Sequence, residues 1–132
     1  MSKKTIRLAG LTLATIALGF APLAAQADEA KPPQGSFDLT VEKGGDVFAE
    51  ATLSCSPNGG THSDAKAACK QLKAANGQVG DIPAEDGPCT LEYDPVVLVS
   101  DGTWKGEDVT YSEEFSNLCV GLLSTGSVLF DI

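Results

Sequence analysis

Four cysteines constrain the fold of this 132-residue chain more than any other feature of its sequence. An even number of cysteines in a short exported chain is typical of a disulfide framework, which stabilises a small domain with a limited core. Cys55, Cys69, Cys89 and Cys119 allow three pairings, and we prefer Cys55–Cys69 with Cys89–Cys119. Zinc is the alternative, but no two cysteines form a C-x-x-C motif and His62 is the only histidine, so no metal is predicted.

Residues 1–27 have the pattern of a secretory signal peptide. Three basic residues precede an uncharged apolar run at 8–25, and "AQA" at 25–27 supplies the small residues of a cleavage site. A membrane span is the alternative interpretation. It is disfavoured because glycine and proline interrupt the run and no stop-transfer cluster of charges follows it.

The predicted organisation has three parts: a signal peptide at 1–27, a flexible polar arm at 28–35 and one domain at 36–132. We expect the chain without its signal peptide to be secreted to the extracellular space and to have no membrane association. That chain keeps six of the nine basic residues and all 18 acidic residues, so its net charge is near −12. Such an acidic surface repels phosphate groups, and nucleic-acid binding is therefore not expected.

Alternating apolar and polar residues predict five strands. Their approximate ranges are 37–41, 47–55, 96–104, 109–115 and 128–132. The first two are separated by the glycine turn "EKGGD" and are expected to form an antiparallel hairpin. In the second strand, the residues expected to share one face are Val47, Ala49, Ala51, Leu53 and Cys55.

After the second strand the apolar period changes to 3.6, which indicates a helix. Its buried stripe contains Ala65, Ala68, Cys69 and Leu72. Cys69 can therefore reach the end of the second strand, which favours the Cys55–Cys69 pairing. Ser63 is expected to cap the helix and Asn76-Gly77 to end it. With a short second helix or irregular segment at 116–124, the elements define an α+β fold with a five-stranded antiparallel sheet.

Catalytic motifs are not found in the sequence. A hydrolytic triad needs a base beside a nucleophile, and His62 lies in a glycine-rich loop without such a motif. The carboxylates are scattered over polar faces, which is typical of solvated charge. We therefore predict neither enzymatic activity nor a cofactor, and we interpret the chain as a recognition protein.

The segment "GPCTLEYDPV", at 87–96, is the main candidate for recognition. Pro88 and Pro95 flank it, and each fixes one backbone angle. In an extended chain, Leu91 points to one side while its neighbours Thr90 and Glu92 point to the other. The pattern alone leaves two interpretations of Leu91: a core residue at the start of a strand, or an exposed recognition residue.

The motifs "CTLEYDPV", "GTWKG", "FSNLC" and "SVLF" follow one another along the chain, downstream of "LSCSPNGGTH" and "ACKQL". Together they resemble the Streptomyces subtilisin inhibitor family, and the resemblance covers 37–130. It implies a secreted, substrate-like, reversible inhibitor of subtilisin-like serine proteases, which is usually a homodimer. It also implies a five-stranded antiparallel sheet and the cysteine pairing preferred above.

The resemblance further implies a protease-binding reactive loop made of Pro88, Cys89, Thr90, Leu91, Glu92, Tyr93 and Asp94. The bond offered to the protease is Leu91–Glu92, and Leu91 enters the primary specificity pocket. A branched apolar side chain suits subtilisin-like and chymotrypsin-like pockets, and it offers no cation to a trypsin-type pocket. Asn117 matches the residue that supports the loop from beneath, and Pro95 restricts the backbone beyond it.

The sequence leaves three further questions open, each with two alternatives. The side chains of Thr90 and Glu92 either hydrogen-bond to amides beside the reactive bond or face solvent. An apolar sheet face around 97–104 either buries itself against a second copy or, through Trp104, belongs to the core of one chain. The alternative to inhibition is a non-inhibitory, disulfide-bonded secreted domain whose acidic surface binds a basic partner.

Overall fold

The computed structural model describes residues 19–20, 22 and 31–132. The predicted signal peptide, apart from 19–20 and 22, lies outside the described residues, and so do residues 28–30 of the predicted arm. The domain runs from Lys31 to Ile132. Its first strand begins at Gly35, a residue that the sequence pattern placed in the arm.

Five antiparallel strands form one sheet in the order β3-β2-β1-β4-β5. The strands are β1 (Gly35–Lys43), β2 (Asp46–Cys55), β3 (Gly59–Gly60), β4 (Val96–Trp104) and β5 (Glu107–Phe115). Two helices accompany the sheet: α1 (Ala65–Ala74) and α2 (Leu118–Ser124). The predicted fold class is confirmed: α+β, one five-stranded antiparallel sheet, a main helix, a short second helix and two disulfides.

One of the five predicted strands was wrong. Residues 125–130 form turns, and the Asp131 amide donates to the Val128 carbonyl oxygen at 3.1 Å, which is the hydrogen bond of a turn and not of an extended strand. Leu129 and Phe130 are consecutive and both are buried in the core, whereas neighbouring residues of a strand point to opposite faces. The strand that completes the five is β3, Gly59–Gly60, which pairs with the end of β2. It lies in a segment that was predicted to be a loop.

Helix α1 has the predicted buried side, with Ala68, Cys69 and Leu72 in the core. Its predicted N-cap was wrong: Asp64, and not Ser63, accepts a hydrogen bond from the Ala67 amide at 3.0 Å. The reason is the neighbouring buried His62, whose Nδ1 accepts from the Asp64 amide at 2.9 Å and so orients that residue. The Ser63 hydroxyl donates instead to the Asp131 carbonyl.

The core lies between the inner face of the sheet, helix α1 and the turns that follow α2. Its largest fully buried side chains include Phe37, Phe130, Leu39, Leu53, Leu72, Leu98 and Leu129. The Cys55–Cys69 disulfide joins the end of β2 to α1 inside this core. Trp104 is only 4% exposed and packs against Phe37, so it belongs to the core and not to an outer sheet face.

The buried face predicted for β2 does not include the first residues of the strand. Ala51, Leu53 and Cys55 are buried and Ala49 is half-buried, but Val47 is 59% exposed. The pairing of β1 with β2 changes register between Val41 and Glu42, which is a β-bulge. A bulge inserts an extra residue and interrupts the alternation of the strand, so the predicted inward position of Val47 was wrong.

Gly77, just beyond α1, has φ of +79°, as the predicted helix end requires. A Cβ at this position would lie 2.3 Å from Cγ of Trp104. We expect Gly77→Ala to lower the free energy of unfolding by about 2 to 5 kcal/mol, from backbone strain together with overpacking. Urea unfolding followed by the fluorescence of Trp104, the single tryptophan, measures this.

Gly106 provides a matched control for Gly77. Its φ is +82°, but no atom lies within 4 Å of the position that a Cβ would occupy. Gly106→Ala therefore carries the backbone strain alone, and we expect a loss of about 1 to 2 kcal/mol. Equal losses in the two variants would contradict the role assigned to the contact with Trp104.

Candidate functional site

The segment before β4 has no regular secondary structure and carries the most exposed apolar side chain of the described domain. Leu91 is 102% exposed, and Tyr93 nearby is 77% exposed. Thr90 and Glu92, on either side of Leu91, are exposed as well. Asp94 and Pro95 are half-buried. The core interpretation of Leu91 is therefore wrong, and residues 90–93 form the tip of a projecting loop.

Asn117 lies beneath this tip and is only 7% exposed. Its Nδ2 donates to the carbonyl oxygen of Thr90 at 3.2 Å and to that of Glu92 at 2.8 Å. These two carbonyls lie on either side of Leu91. One side-chain amide therefore fixes the backbone before and after the Leu91–Glu92 bond.

Asn117 is itself held in place by helix α2. It is the N-cap of that helix, and its Oδ1 accepts from the Val120 amide at 3.0 Å. An asparagine is suited to this position because it combines an acceptor for the cap with donors for the loop. The orientation of the two donors is thus set by the start of the helix and not by the loop.

The Cys89–Cys119 disulfide anchors the loop two residues before Leu91 to the first turn of α2, with a Cα–Cα distance of 5.8 Å. Further upstream, the Glu85 amide donates to the carbonyl oxygen of Leu123 near the end of α2, at 2.8 Å. Pro88 lies between these two attachments and is exposed. The chain that leads to Leu91 is therefore attached to one helix at two places.

The chain beyond the tip is attached as well. The Asp94 amide donates to the carbonyl oxygen of Ser116 at 2.8 Å, and the Asp94 carboxylate forms an ion pair with Lys43 at 2.5 Å. Pro95 then leads into β4, whose first residue pairs with Phe115. Sequence reasoning missed Lys43, because it is 51 residues away in the chain and no motif marks it.

The other side chains near the tip make fewer contacts. Among the described residues, neither the Thr90 hydroxyl nor the Glu92 carboxylate is in a hydrogen bond, and both residues are exposed. The solvent-facing alternative therefore describes these two side chains. The backbone of the tip is held by Asn117, the disulfide and the contacts of Asp94.

Two titratable side chains outside the loop, His62 and Tyr111, have structural contacts. Both ring nitrogens of His62 are engaged, Nδ1 with the Asp64 amide and Nε2 with the carbonyl oxygen of Leu129. Burial raises the pKa of Tyr111 above its ordinary value, and its hydroxyl donates to Glu113 at 2.7 Å, which raises it further. The described residues contain no group of three or more metal-ligating side chains, and none of their helices is long and apolar enough to span a membrane.

The fold and this loop define a class of protein: a small, disulfide-bonded α+β domain that displays one extended loop, fixed from beneath by a buried amide. The sequence model of the "Subtilisin inhibitor-like" family matches residues 34–117, which include β1, the loop and Asn117. The chain belongs to this family.

Named relatives agree with this assignment. The chain is 39% identical to a subtilase-type protease inhibitor of Streptomyces coelicolor, over 92% of this chain and 83% of the relative. It is 38% identical to a subtilase-type protease inhibitor of Streptomyces fradiae, over 95% of this chain and 94% of the relative.

A solved structure is similar as well. It is Streptomyces caespitosus sermetstatin in complex with Bacillus licheniformis subtilisin. Its identity to this chain is 30% and the TM-score is 0.60, with 74% of this chain and 96% of that chain covered. The likeness therefore extends over nearly the whole of the matched chain in that structure.

Proposed function

We propose that this chain, released from its signal peptide, is a secreted, substrate-like, reversible inhibitor of subtilisin-like serine proteases, with Leu91–Glu92 as the reactive bond. The observation that carries the proposal is a fully exposed Leu91 between two carbonyls held by one buried amide. The named relatives are protease inhibitors, and sermetstatin was solved with subtilisin bound. In this proposal the chain is a target-binding protein and not an enzyme.

Preorganisation of the loop favours tight binding. A flexible peptide loses about 1 to 2 kcal/mol of conformational entropy for each backbone residue that becomes ordered in a protease cleft. The loop is attached at Cys89, Asn117 and Asp94 before any protease arrives. Most of the conformational entropy of the loop is therefore lost during folding and not during binding.

The same attachments oppose completion of the cleavage. When the protease serine attacks the Leu91 carbonyl carbon, an ester forms, the bond to the Glu92 nitrogen breaks and that nitrogen takes up a proton. The Glu92 carbonyl stays bonded to Asn117 and the Asp94 amide to Ser116. The new amine therefore remains beside the ester, and resealing of the peptide bond competes with attack by water.

Leu91 sets the range of targets. A branched apolar side chain gains free energy by burial in a broad hydrophobic pocket, as in subtilisin-like and chymotrypsin-like proteases. Leucine supplies no cation to the buried carboxylate of a trypsin-type pocket, so that carboxylate would stay unpaired in the complex. The exposed carboxylate of Glu92 next to the reactive bond narrows the range further, because it disfavours proteases with acidic leaving-group sites.

Titration of the purified chain against subtilisin, chymotrypsin and trypsin in parallel tests the proposal. We expect stoichiometric, competitive inhibition of subtilisin and much weaker inhibition of trypsin. In a second assay, catalytic amounts of subtilisin should leave the chain intact or cut only between Leu91 and Glu92. Rapid digestion into fragments without inhibition would overturn the proposal in favour of a non-inhibitory binding domain.

Asn117→Asp distinguishes the two roles of Asn117, as the N-cap of α2 and as the donor to the loop carbonyls. Aspartate keeps the acceptor that caps α2, but it has no donors for the Thr90 and Glu92 carbonyls. Two hydrogen bonds are lost and a buried carboxylate faces two carbonyl oxygens, so we expect the free energy of unfolding to fall by about 2 to 4 kcal/mol. We also expect subtilisin to hydrolyse the Leu91–Glu92 bond about ten-fold faster or more. Peptide mapping over time measures the cleavage, and Asn117→Ala, which loses cap and donors together, serves as the comparison. Unchanged resistance of Asn117→Asp would contradict the role of the donors.

We also propose that two copies associate through the outer face of the sheet. Val97 and Val99 on β4 are half-buried on this face, next to Thr40 and Glu42 of β1, and they alternate with the buried Val96 and Leu98. An apolar strip in the middle of a sheet face favours burial against a second copy. Sedimentation equilibrium should give a dimer for the natural chain and a monomer for Val99→Asp; a natural chain that stays monomeric would contradict this.

A further inference from the structure

The described domain from Lys31 to Ile132 exposes large apolar side chains in two places. Leu91 and Tyr93 lie in the reactive loop, and Val47 and Phe48 lie at the start of β2 with 59% and 61% of their surfaces exposed. We call the second pair the hairpin patch. Adjacent exposed apolar side chains can form part of an interaction surface.

The hairpin patch is next to the reactive loop. The Lys43 ammonium group lies 5.6 Å from the centre of the Phe48 ring and 2.5 Å from the Asp94 carboxylate. One ammonium group therefore separates the aromatic ring from the loop. Asp94 is the third residue after Leu91, so the patch borders the part of the loop that follows the reactive bond.

The β-bulge in the hairpin determines the exposure of this patch. Val41 pairs with Ala49 and Glu42 pairs with Val47, so Phe48 is the extra residue of the bulge. Bulges redirect side chains and are frequent beside functional sites. Without the bulge, the alternation of β2 would place Val47 on the buried face with Ala49 and Ala51.

The size of a protease–inhibitor interface calls for contacts beyond the loop. Such interfaces bury about 800 Å² on each partner and use about 20 to 30 residues a side. The seven residues from Pro88 to Asp94 supply only part of this number. The remaining contacts must come from surfaces that adjoin the loop, and the hairpin patch adjoins it through Lys43 and Asp94.

We propose that Val47 and Phe48 form a second protease-contact surface, which packs against an apolar surface of the protease on the leaving-group side of its substrate cleft. This inference rests on the function proposed above. It adds a determinant of target choice that is independent of the side chain at Leu91. Proteases with an apolar rim on that side are preferred, and proteases with a charged rim are disfavoured.

The double variant Val47→Ser/Phe48→Ser tests this surface. Both side chains are more than half exposed, so we expect an unchanged urea unfolding curve. The inhibition constant for subtilisin should rise about ten-fold, which is the scale of a truncated interface anchor. The rate of cleavage at Leu91–Glu92 in the bound complex should not change. An unchanged inhibition constant would overturn the proposal while leaving the inhibitor function intact, whereas a natural chain that does not inhibit would overturn both.

Lys43→Met distinguishes contact from positioning. It removes the ion pair with Asp94 but keeps a long side chain beside Phe48. If the hairpin patch acts only by holding Lys43 against Asp94, Lys43→Met will reproduce the weaker inhibition and both variants will be cleaved faster, which would overturn the proposal. Loss of dimer in the double variant, with unchanged inhibition, would also overturn it and assign the patch to self-association. A photoreactive phenylalanine in place of Phe48 provides a further readout, and we expect it to cross-link to subtilisin in the one-to-one complex.

Discussion

Leu91→Asp should weaken inhibition of subtilisin about a thousand-fold or more and leave the fold intact. The natural leucine loses its whole exposed surface to an apolar pocket, a gain of about 1.5 to 3 kcal/mol. Aspartate gives up that gain, and it also carries a charge whose burial without a partner costs several kcal/mol more. Because Leu91 is 102% exposed in the free domain, the substitution should change the free energy of unfolding by less than about 0.5 kcal/mol.

Two further substitutions at the same position define the effect. Leu91→Met keeps an apolar side chain of similar size, and we expect its inhibition constant for subtilisin to stay within about ten-fold of the natural value. Leu91→Lys supplies a cation, so inhibition of trypsin should appear where the natural chain has little. Inhibition constants from steady-state assays and urea unfolding of each variant provide the measurements. If Leu91→Asp still inhibits as the natural chain does, Leu91 does not enter the protease pocket.

Removal of the Cys89–Cys119 disulfide should convert the inhibitor into a substrate. The paired substitution Cys89→Ala/Cys119→Ala frees the chain two residues before Leu91, so the ends separate more readily after attack. We expect full cleavage by catalytic subtilisin within a time in which the natural chain stays intact. The chain-entropy estimate for a 30-residue loop gives a loss of about 4 kcal/mol in the free energy of unfolding.

The other disulfide is the matched control. Cys55→Ala/Cys69→Ala opens a loop of 14 residues inside the core, with an expected loss of about 3 kcal/mol. The two double variants thus lose similar stability, but only one loses an attachment of the reactive loop. At a temperature where both are folded, by circular dichroism, the Cys55/Cys69 variant should still inhibit subtilisin. Equal digestion of the two variants would show that stability alone, and not the local attachment, determines resistance.

Local patterns in the sequence were reliable for the longer elements. Alternation identified β1, β4 and β5, and the 3.6-residue period identified α1, because each pattern repeats over several residues. Pattern-based prediction failed at segments that are short or that contain turns. Gly59–Gly60 is too short to show alternation, and residues 128–131, which alternate like a strand, form a turn.

Only the resemblance to a family suggested from the sequence that residues 88–94 bind a protease. The pattern around Leu91 is that of a strand end, and it is equally consistent with a core residue. The structure decides otherwise, because β4 begins only at Val96 and Leu91 is fully exposed. The loop instead runs along the start of α2, where Asn117 and Cys119 hold its tip outward.

Local patterns thus predicted a start that resembles a signal peptide, a disulfide framework, the long strands, the main helix and an extended segment between two prolines. The exposure of Leu91, the use of one amide for both a helix cap and the loop, and the ion pair of Lys43 with Asp94 came only from the structure. These features depend on residues that are far apart in the chain. Contacts between such residues depend on which strands are neighbours and on where a bulge or a turn redirects a side chain, and no local period encodes them.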